Sequence, residues 1–380
     1  MPIVPTPPAP DELEVTVFGP GRGEAIAVHV GHGDWILVDS CRNATGTPAS
    51  LVYLKHLGVD PAESVKLVVC THWHDDHAAG LADIVDGCPR ARFALSAGLR
   101  SREFLTVTAA AARGQTLSRL GGVDELHRTM QLLMSRKTGP HPESWVRPRW
   151  ATNNTIVWDR AASANLGAVE VRAMSPSDKD IERTLRQIAA LVPPEDGTRT
   201  GVPSPSENEV SVALIVTVGS THVLLGADLE EPGDALRGWS AVVSGWPADG
   251  RKAEVFKVAH HGSAGADQPR VWQVLLEQRP WAIVTPFIGG NVKLPTRADV
   301  RRLKERTDRA WATSVPRSTG SKRPRQIEEL EKRQARRFVP LPHEFGCVQL
   351  RKRGDAPGSW SVALDGRARL LDPAAEGAFP

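Results

Sequence analysis

Six consecutive residues, His72, Trp73, His74, Asp75, Asp76 and His77, constrain this chain more than any other feature. They read H-x-H-x-D-H and begin one residue after Val65 to Cys70, an apolar run with the length of a buried strand. Neutral imidazole nitrogen and carboxylate oxygen are the donors that zinc and similar divalent ions take from proteins. The spacing suits two ions. His72 and His74 can point the same way from an extended turn, while Asp76 and His77 turn toward a neighbouring position.

A pair of ions also needs a bridging carboxylate and at least one further nitrogen. Both occur where apolar runs end. Leu224-Leu225-Gly226-Ala227 leads into Asp228, and Val255 to Val258 leads into His260-His261-Gly262-Ser263. Donors at strand ends sit on rigid backbone, which suits a defined metal geometry. His127 falls in a helical stretch and His141 between two prolines. Neither follows a strand, and both are left outside the candidate set.

The surrounding pattern is one of short strands punctuated by helices. Leu13–Val17 and Glu24–Val30 read as a hairpin around Gly19-Pro20-Gly21-Arg22-Gly23, a turn that lacks the Gly-Lys-Ser/Thr ending of a phosphate loop. Trp35–Val38 is a strand ending in Asp39. Helices are expected over 48–57, 78–85 and 178–191, with a Pro/Gly-rich loop over 192–205. Further strands are expected at 92–94, 155–158, 169–174, 210–218, 222–226, 255–258 and 281–287, and a last hairpin at 345–352 and 359–364. This order predicts an α/β chain with two sheets between helices, an αββα four-layer sandwich. One domain over 13–365 is expected, with a flexible tail over 1–12 and another over 366–380. A helical insertion spans about 99–150, and a basic helical decoration about 297–337.

Composition narrows the class. The 380 residues are 41% hydrophobic and 24% charged, ordinary values for a globular protein, and no apolar run reaches membrane-span length. The N-terminus lacks the basic flank and apolar core of a secretory signal. Cys41, Cys70, Cys88 and Cys347 show neither metal-type spacing nor a disulfide framework, so a cytoplasmic location is expected. The formal net charge is only +3, yet residues 297–337 hold fourteen Lys/Arg against six Asp/Glu. That segment would suit a nucleic acid or nucleotide substrate; a solvated helical face is the plain alternative. A protein partner or a homodimer stays open.

Taken together, the sextet, the Leu-Leu-Gly-Ala-Asp strand end and Lys257-Val258-Ala259-His260-His261-Gly262-Ser263 resemble the ComEC-like branch of the metallo-β-lactamase-fold hydrolases. The opening strands through Asp39 resemble that branch as well, as does the N-x-x-S-x-x-L run from Asn208 to Leu214. The resemblance implies two zinc ions, with manganese as an alternative. His72 and His74 would hold the first, Asp76 and His77 the second, and Asp228 would bridge. His260, first after its strand, is expected to be the remaining ligand. His261 would be a supporting donor or substrate contact, Asp76 would orient the attacking water and accept its proton, and Asp39 would orient the sextet loop. The branch usually places another histidine where Leu294 stands, so the second ion is expected to lack a nitrogen. The implied activity is hydrolysis by a metal-activated water at neutral pH, with phosphodiesters (a nuclease or phosphodiesterase) as the favoured substrates. A small lactone, thioester or lactam is the alternative, and a metal-bearing component of a multiprotein system, such as an anti-phage system, is the third reading.

Overall fold

The computed structural model describes residues 5–43, 45–101, 103–104, 106, 108, 122–140, 145–163, 167–190, 207–247, 251–289, 292–315, 345–354 and 360–372. The first sheet contains β1 (Glu12–Gly19), β2 (Ala25–Val30), β3 (Trp35–Val38), β4 (Val65–Cys70), β5 (Arg92–Ser96) and β6 (Arg149–Ala151), closed at the other edge by β16 (Gly346–Arg353) and β17 (Ser361–Gly366). The second contains β7 (Thr155–Arg160), β8 (Val169–Ala173), β9 (Leu214–Val218), β10 (Thr221–Leu225), β11 (Ala253–Lys257), β12 (Leu276–Val284), β15 (Ala310–Ala312) and β18 (Arg369–Leu370). A separate hairpin joins β13 (Phe287–Gly289) to β14 (Val292–Leu294).

Three apolar cores separate four layers. Ile36, Val38, Leu67 and Val69 from the first sheet meet Val216, Val223, Val255 and Ile283 from the second. The alternate residues Trp35, Leu37, Val68 and Cys70 face outward, where Leu54, Ile84 and Leu126 cover them. These last three lie on α1 (Ala49–His56), α4 (Leu81–Gly87) and α5 (Val123–Thr138). On the far side Phe256 and Ala282 pack with Trp239 and Val242 of α7 (Gly238–Gly245) and Leu303 of α8 (Arg297–Arg306). Strands covered on both faces explain the unbroken apolar runs in the sequence. This is the αββα layering.

Strand direction then gathers the polar strand ends. β3, β4 and β5 run parallel in one sheet, and β10, β11, β12 and β15 run parallel in the other. Open parallel sheets bind ligands beyond the carboxyl ends of their strands. Asp39 and the sextet follow β3 and β4; Asp228, His260-His261 and Thr285 follow β10, β11 and β12.

Several boundaries differ from expectation. Residues 149–151 of the expected insertion form β6, a parallel edge strand beside β5. The insertion's helix α5 lies in the outer layer: Gly122, just before it, donates to the Asp75 carboxylate, and Ala82 of α4 donates to Glu125 Oε1 at 3.1 Å. β9 begins at Leu214, not at residue 210, because Val212 donates to the Thr71 carbonyl at 3.1 Å instead of joining the ladder. The expected 366–380 tail contains β18, and Leu371 within it is fully buried. In the expected N-terminal tail, Thr6 and Pro10 accept hydrogen bonds from Arg351 and His32. The basic stretch begins as part of the domain, with α8 and β15 completing the second half; residues 316–344 lie outside the described residues, as do His141 and the loop over 192–205. All four cysteines are buried and unpaired. No helix among the described residues is long and apolar enough to cross a membrane.

Candidate metal centre

The sextet leaves β4 as an extended turn and closes into α3 (Asp75–Ala78). Its tight path is fixed by Asp39, which is fully buried and adopts φ +58°. Asp39 accepts from the Thr71 N–H at 2.8 Å and from Thr71 Oγ1 at 2.7 Å, and it accepts the Nδ1–H of His77 at 2.7 Å. A histidine that donates Nδ1–H to a carboxylate presents the lone pair of Nε2 on its far side.

Across the gap, Gly226 N–H donates to the Lys257 carbonyl at 3.0 Å, and Ala227 turns with φ +46° to aim Asp228 inward. His260 and His261 follow with φ +44° and +55°. Non-glycine residues in this region are strained, and such strain concentrates at functional sites. The turn carries the His261 ring into the gap, where its Nδ1–H donates to the Thr285 carbonyl at 2.7 Å. The His261 Nε2 lies 3.4 Å from Asp76 Oδ2 and 3.4 Å from Asp228 Oδ2. The His260 ring is directed elsewhere, with Nδ1 3.1 Å from Glu230 and Nε2 3.4 Å from Asn208 Nδ2.

Among the described residues three donor groups occur: Glu24, Asp39 and His77 form one, and the other two share Asp228. Of these two, Asp76, His77, Asp228 and His261 form one; His72, His74 and Asp228 form the other. The geometry departs from expectation at three points. His261 and not His260 joins the carboxylates, because the paired left-handed turn swaps which imidazole faces inward. His261 thus adds a second imidazole to the group of Asp76 and His77, while Leu294 sits on β14 opposite Phe287, whose ring packs 5.1 Å from that of His261. The leaner set is the first, with three donors among the described residues. His127 lies on α5 and joins none of these groups.

The spacing fits ions better than hydrogen bonds. Donors at 2.0–2.1 Å around a tetrahedral zinc stand about 3.3–3.4 Å apart. His77 Nε2 to Asp228 Oδ1 is 3.4 Å, and His72 Nε2 to His74 Nδ1 is 3.3 Å. The His77–Asp76 and His72–Asp228 separations are wider, at 3.9 Å. His77 Nε2 and Asp228 Oδ1 are both buried without a hydrogen-bond partner. Orphaned donors and acceptors are costly in a protein interior, so a cation between them accounts for both.

Electrostatics agree. Burial, aided by the neighbouring His77, pushes His72 well below the ordinary imidazole range and keeps its nitrogens free of added protons. For Asp228, burial works upward, but His261 and His77 hold it well below the usual carboxylate range. Asp76 is lowered too, against its burial, by His77 and His261. It thus stays ionised, as a metal ligand must. Burial would lower His261, yet Asp228 and Asp76 push it up to about 9; His77 is likewise raised by Asp228, Asp76 and Asp39. Without a cation the carboxylates recruit protons onto these two imidazoles, so metal binding must release protons.

Residues 18–95 match the model of the metallo-beta-lactamase superfamily. The fold is the metallo-β-lactamase fold. The matched stretch contains Asp39 and the sextet; Asp228 and His261 lie beyond it. Among solved structures, the chain is similar to zinc-bound PqqB from Methylobacterium extorquens at 12% identity, covering 74% of this chain and 83% of that one, with a TM-score of 0.31. It is also similar to metallo-beta-lactamase SMB-1 bound to 2-mercaptoethanesulfonate, at 14% identity over 67% and 81% of the two chains, with a TM-score of 0.29. No curated protein matches the chain.

Proposed function

We propose that this protein is a metal-dependent hydrolase with a two-ion centre, acting on phosphodiesters. The observation that carries the reading is that one buried carboxylate, Asp228, belongs to two donor groups. His72 and His74 would hold the first ion with Asp228; Asp76, His77 and His261 would hold the second. Zinc suits this nitrogen-rich set, with manganese as the alternative. Such ions, when bound, supply Lewis acidity and an activated water at neutral pH.

The chain's own residues prepare the site. Asp39 and the Thr285 carbonyl fix the tautomers of His77 and His261, so each offers Nε2. Asp76 and Asp228 stay ionised and counter the charge of the ions. The phosphodiester preference rests on α8. Arg302 of this helix donates to the Gly262 carbonyl at 2.6 Å, which sets a helix bearing Arg297, Arg301, Lys304 and Arg306 against the His261 turn. A net-basic helix packed on the His261 turn would favour an anionic substrate, such as a nucleic acid strand or nucleotide.

Hydrolysis of bis-p-nitrophenyl phosphate and single-stranded DNA by zinc- or manganese-loaded protein tests the reading. Cleavage is expected, falling more than ~100-fold in Asp228→Asn, beyond the loss typical of outer-sphere changes. Turnover of lactones or thioesters, with both phosphodiesters untouched, would replace the substrate assignment; no turnover of any of them would remove the hydrolase reading.

A further inference from the structure

Directly beneath the centre, Glu24 and Lys257 form an ion pair whose side chains are 1% and 0% exposed. Glu24 precedes β2 of the first sheet and Lys257 ends β11 of the second, so the pair ties the two sheets together. Replacing a buried ion pair by apolar groups is often neutral or stabilising. Stability alone is therefore a poor reason for the pair, and its contacts suggest another.

Glu24 reaches two donors of the second position. Its N–H donates to the Asp76 carbonyl at 2.8 Å. Its carboxylate accepts from Thr285 Oγ1 at 2.6 Å, and the Thr285 carbonyl accepts the His261 Nδ1–H. Lys257 reaches a third donor through its main chain, holding Gly226 just ahead of Asp228. The Gly21–Gly23 turn makes this possible: Gly23 adopts φ +111°, and a Cβ there would lie 2.9 Å from Cys41 Cβ and 3.2 Å from the Asp76 carbonyl oxygen. Only glycine lets Glu24 approach the sextet loop so closely. His72, of the first position, is held from elsewhere, with Thr71 Oγ1 3.0 Å from its Nδ1.

We propose that the Glu24–Lys257 pair is a positioning device for the second metal position: it anchors the Glu24 main chain that holds Asp76 on one sheet, and the Thr285 that holds His261 on the other, at coordinating distance. This rests on the two-ion reading above. The test is stepwise cobalt(II) titration of metal-free protein, followed by calorimetry and by the visible absorption of the bound ion. The step missing in His261→Ala identifies the second position. Glu24→Gln should weaken that step about 10–100-fold and alter its absorption, as loss of an outer-sphere partner does. The other step should stay within about threefold of wild type on the same scale. The double variant Glu24→Gln/Lys257→Met, which leaves no unpaired buried charge, should show the same selective loss without a lower melting temperature. Unchanged steps and spectra in the folded double variant overturn the inference, as does equal weakening of both steps in parallel with melting temperature. A wild-type chain that binds no cobalt overturns the centre and this inference together; a wild-type chain with two steps that the variants leave intact overturns this inference alone.

Discussion

Glu14 and Asp228 are both carboxylates sealed inside the molecule, and their surroundings differ in kind. Glu14 is fully satisfied by protein. Its Oε1 accepts from Tyr53 at 2.6 Å and Thr16 at 2.8 Å, and its Oε2 accepts from Arg351 at 2.7 Å and Gln349 at 3.3 Å. Asp228 faces imidazoles at 3.4 Å, with one oxygen lacking any hydrogen bond. The Glu14 cluster is closed and serves the fold. The described residues leave the Asp228 cluster open. Burial of charge alone does not separate structural from functional sites; whether the protein completes the hydrogen bonding does.

The largest expected effects come from breaking each cluster. Removing Glu14 as Glu14→Ala strips the buried Arg351 of its 2.7 Å carboxylate partner, leaving Glu12 at 3.8 Å, and should cost about 3–5 kcal/mol, equally with and without zinc, as read by denaturant unfolding. Wild type should gain about 4 kcal/mol at free zinc 1,000-fold above its dissociation constant. Glu14→Ala should keep that gain, and Asp228→Asn should lose it. A metal-dependent loss in Glu14→Ala would erase the distinction between the clusters.

His29 offers an intermediate case, satisfied by protein in one protonation state only. Its Nδ1–H donates to the Glu12 carbonyl at 2.7 Å, and Nε2 accepts from the Gly33 N–H at 3.0 Å. Burial, the main cause, lowers its pKa to about 4. A lowered folded-state pKa means that the unfolded chain binds the proton more readily. Stability from His29 is thus complete above its unfolded pKa of about 6.5 and is lost as pH falls toward 4, by on the order of 3 kcal/mol. Unfolding of His29→Gln and wild type across this window should show a shallower pH slope in the variant; identical slopes would contradict the assignment.

The smallest contrast lies between neighbours. His261→Ala should lose one ion per chain, whereas His260→Ala should leave metal content unchanged, both read by elemental analysis. The reverse pattern would restore His260 as the ligand.

What the sequence reveals here depends on how locally each feature is encoded. His72, His74, Asp76 and His77 are legible because four donors sit on one short turn, and Asp228 because it closes an apolar run. The layering is legible because strands buried on both faces leave continuous apolar runs. The choice between His260 and His261 is not legible, since it depends on two left-handed residues in one turn. The expectation of a second set short of a nitrogen has a separate origin, in Leu294 standing where the resembling branch carries a histidine. The tie from Glu24 to Thr285 spans 261 residues, and no local pattern signals it. β6 and β18 are too short, at three and two residues, to carry a strand period of their own.

The central claim is that the Asp228 cluster is completed by metal. Elemental analysis of protein expressed in metal-replete medium and freed of loosely bound ions tests it most directly. Two zinc or manganese ions are expected per wild-type chain, and near none in Asp228→Asn. Wild-type protein with metal content near zero would contradict it.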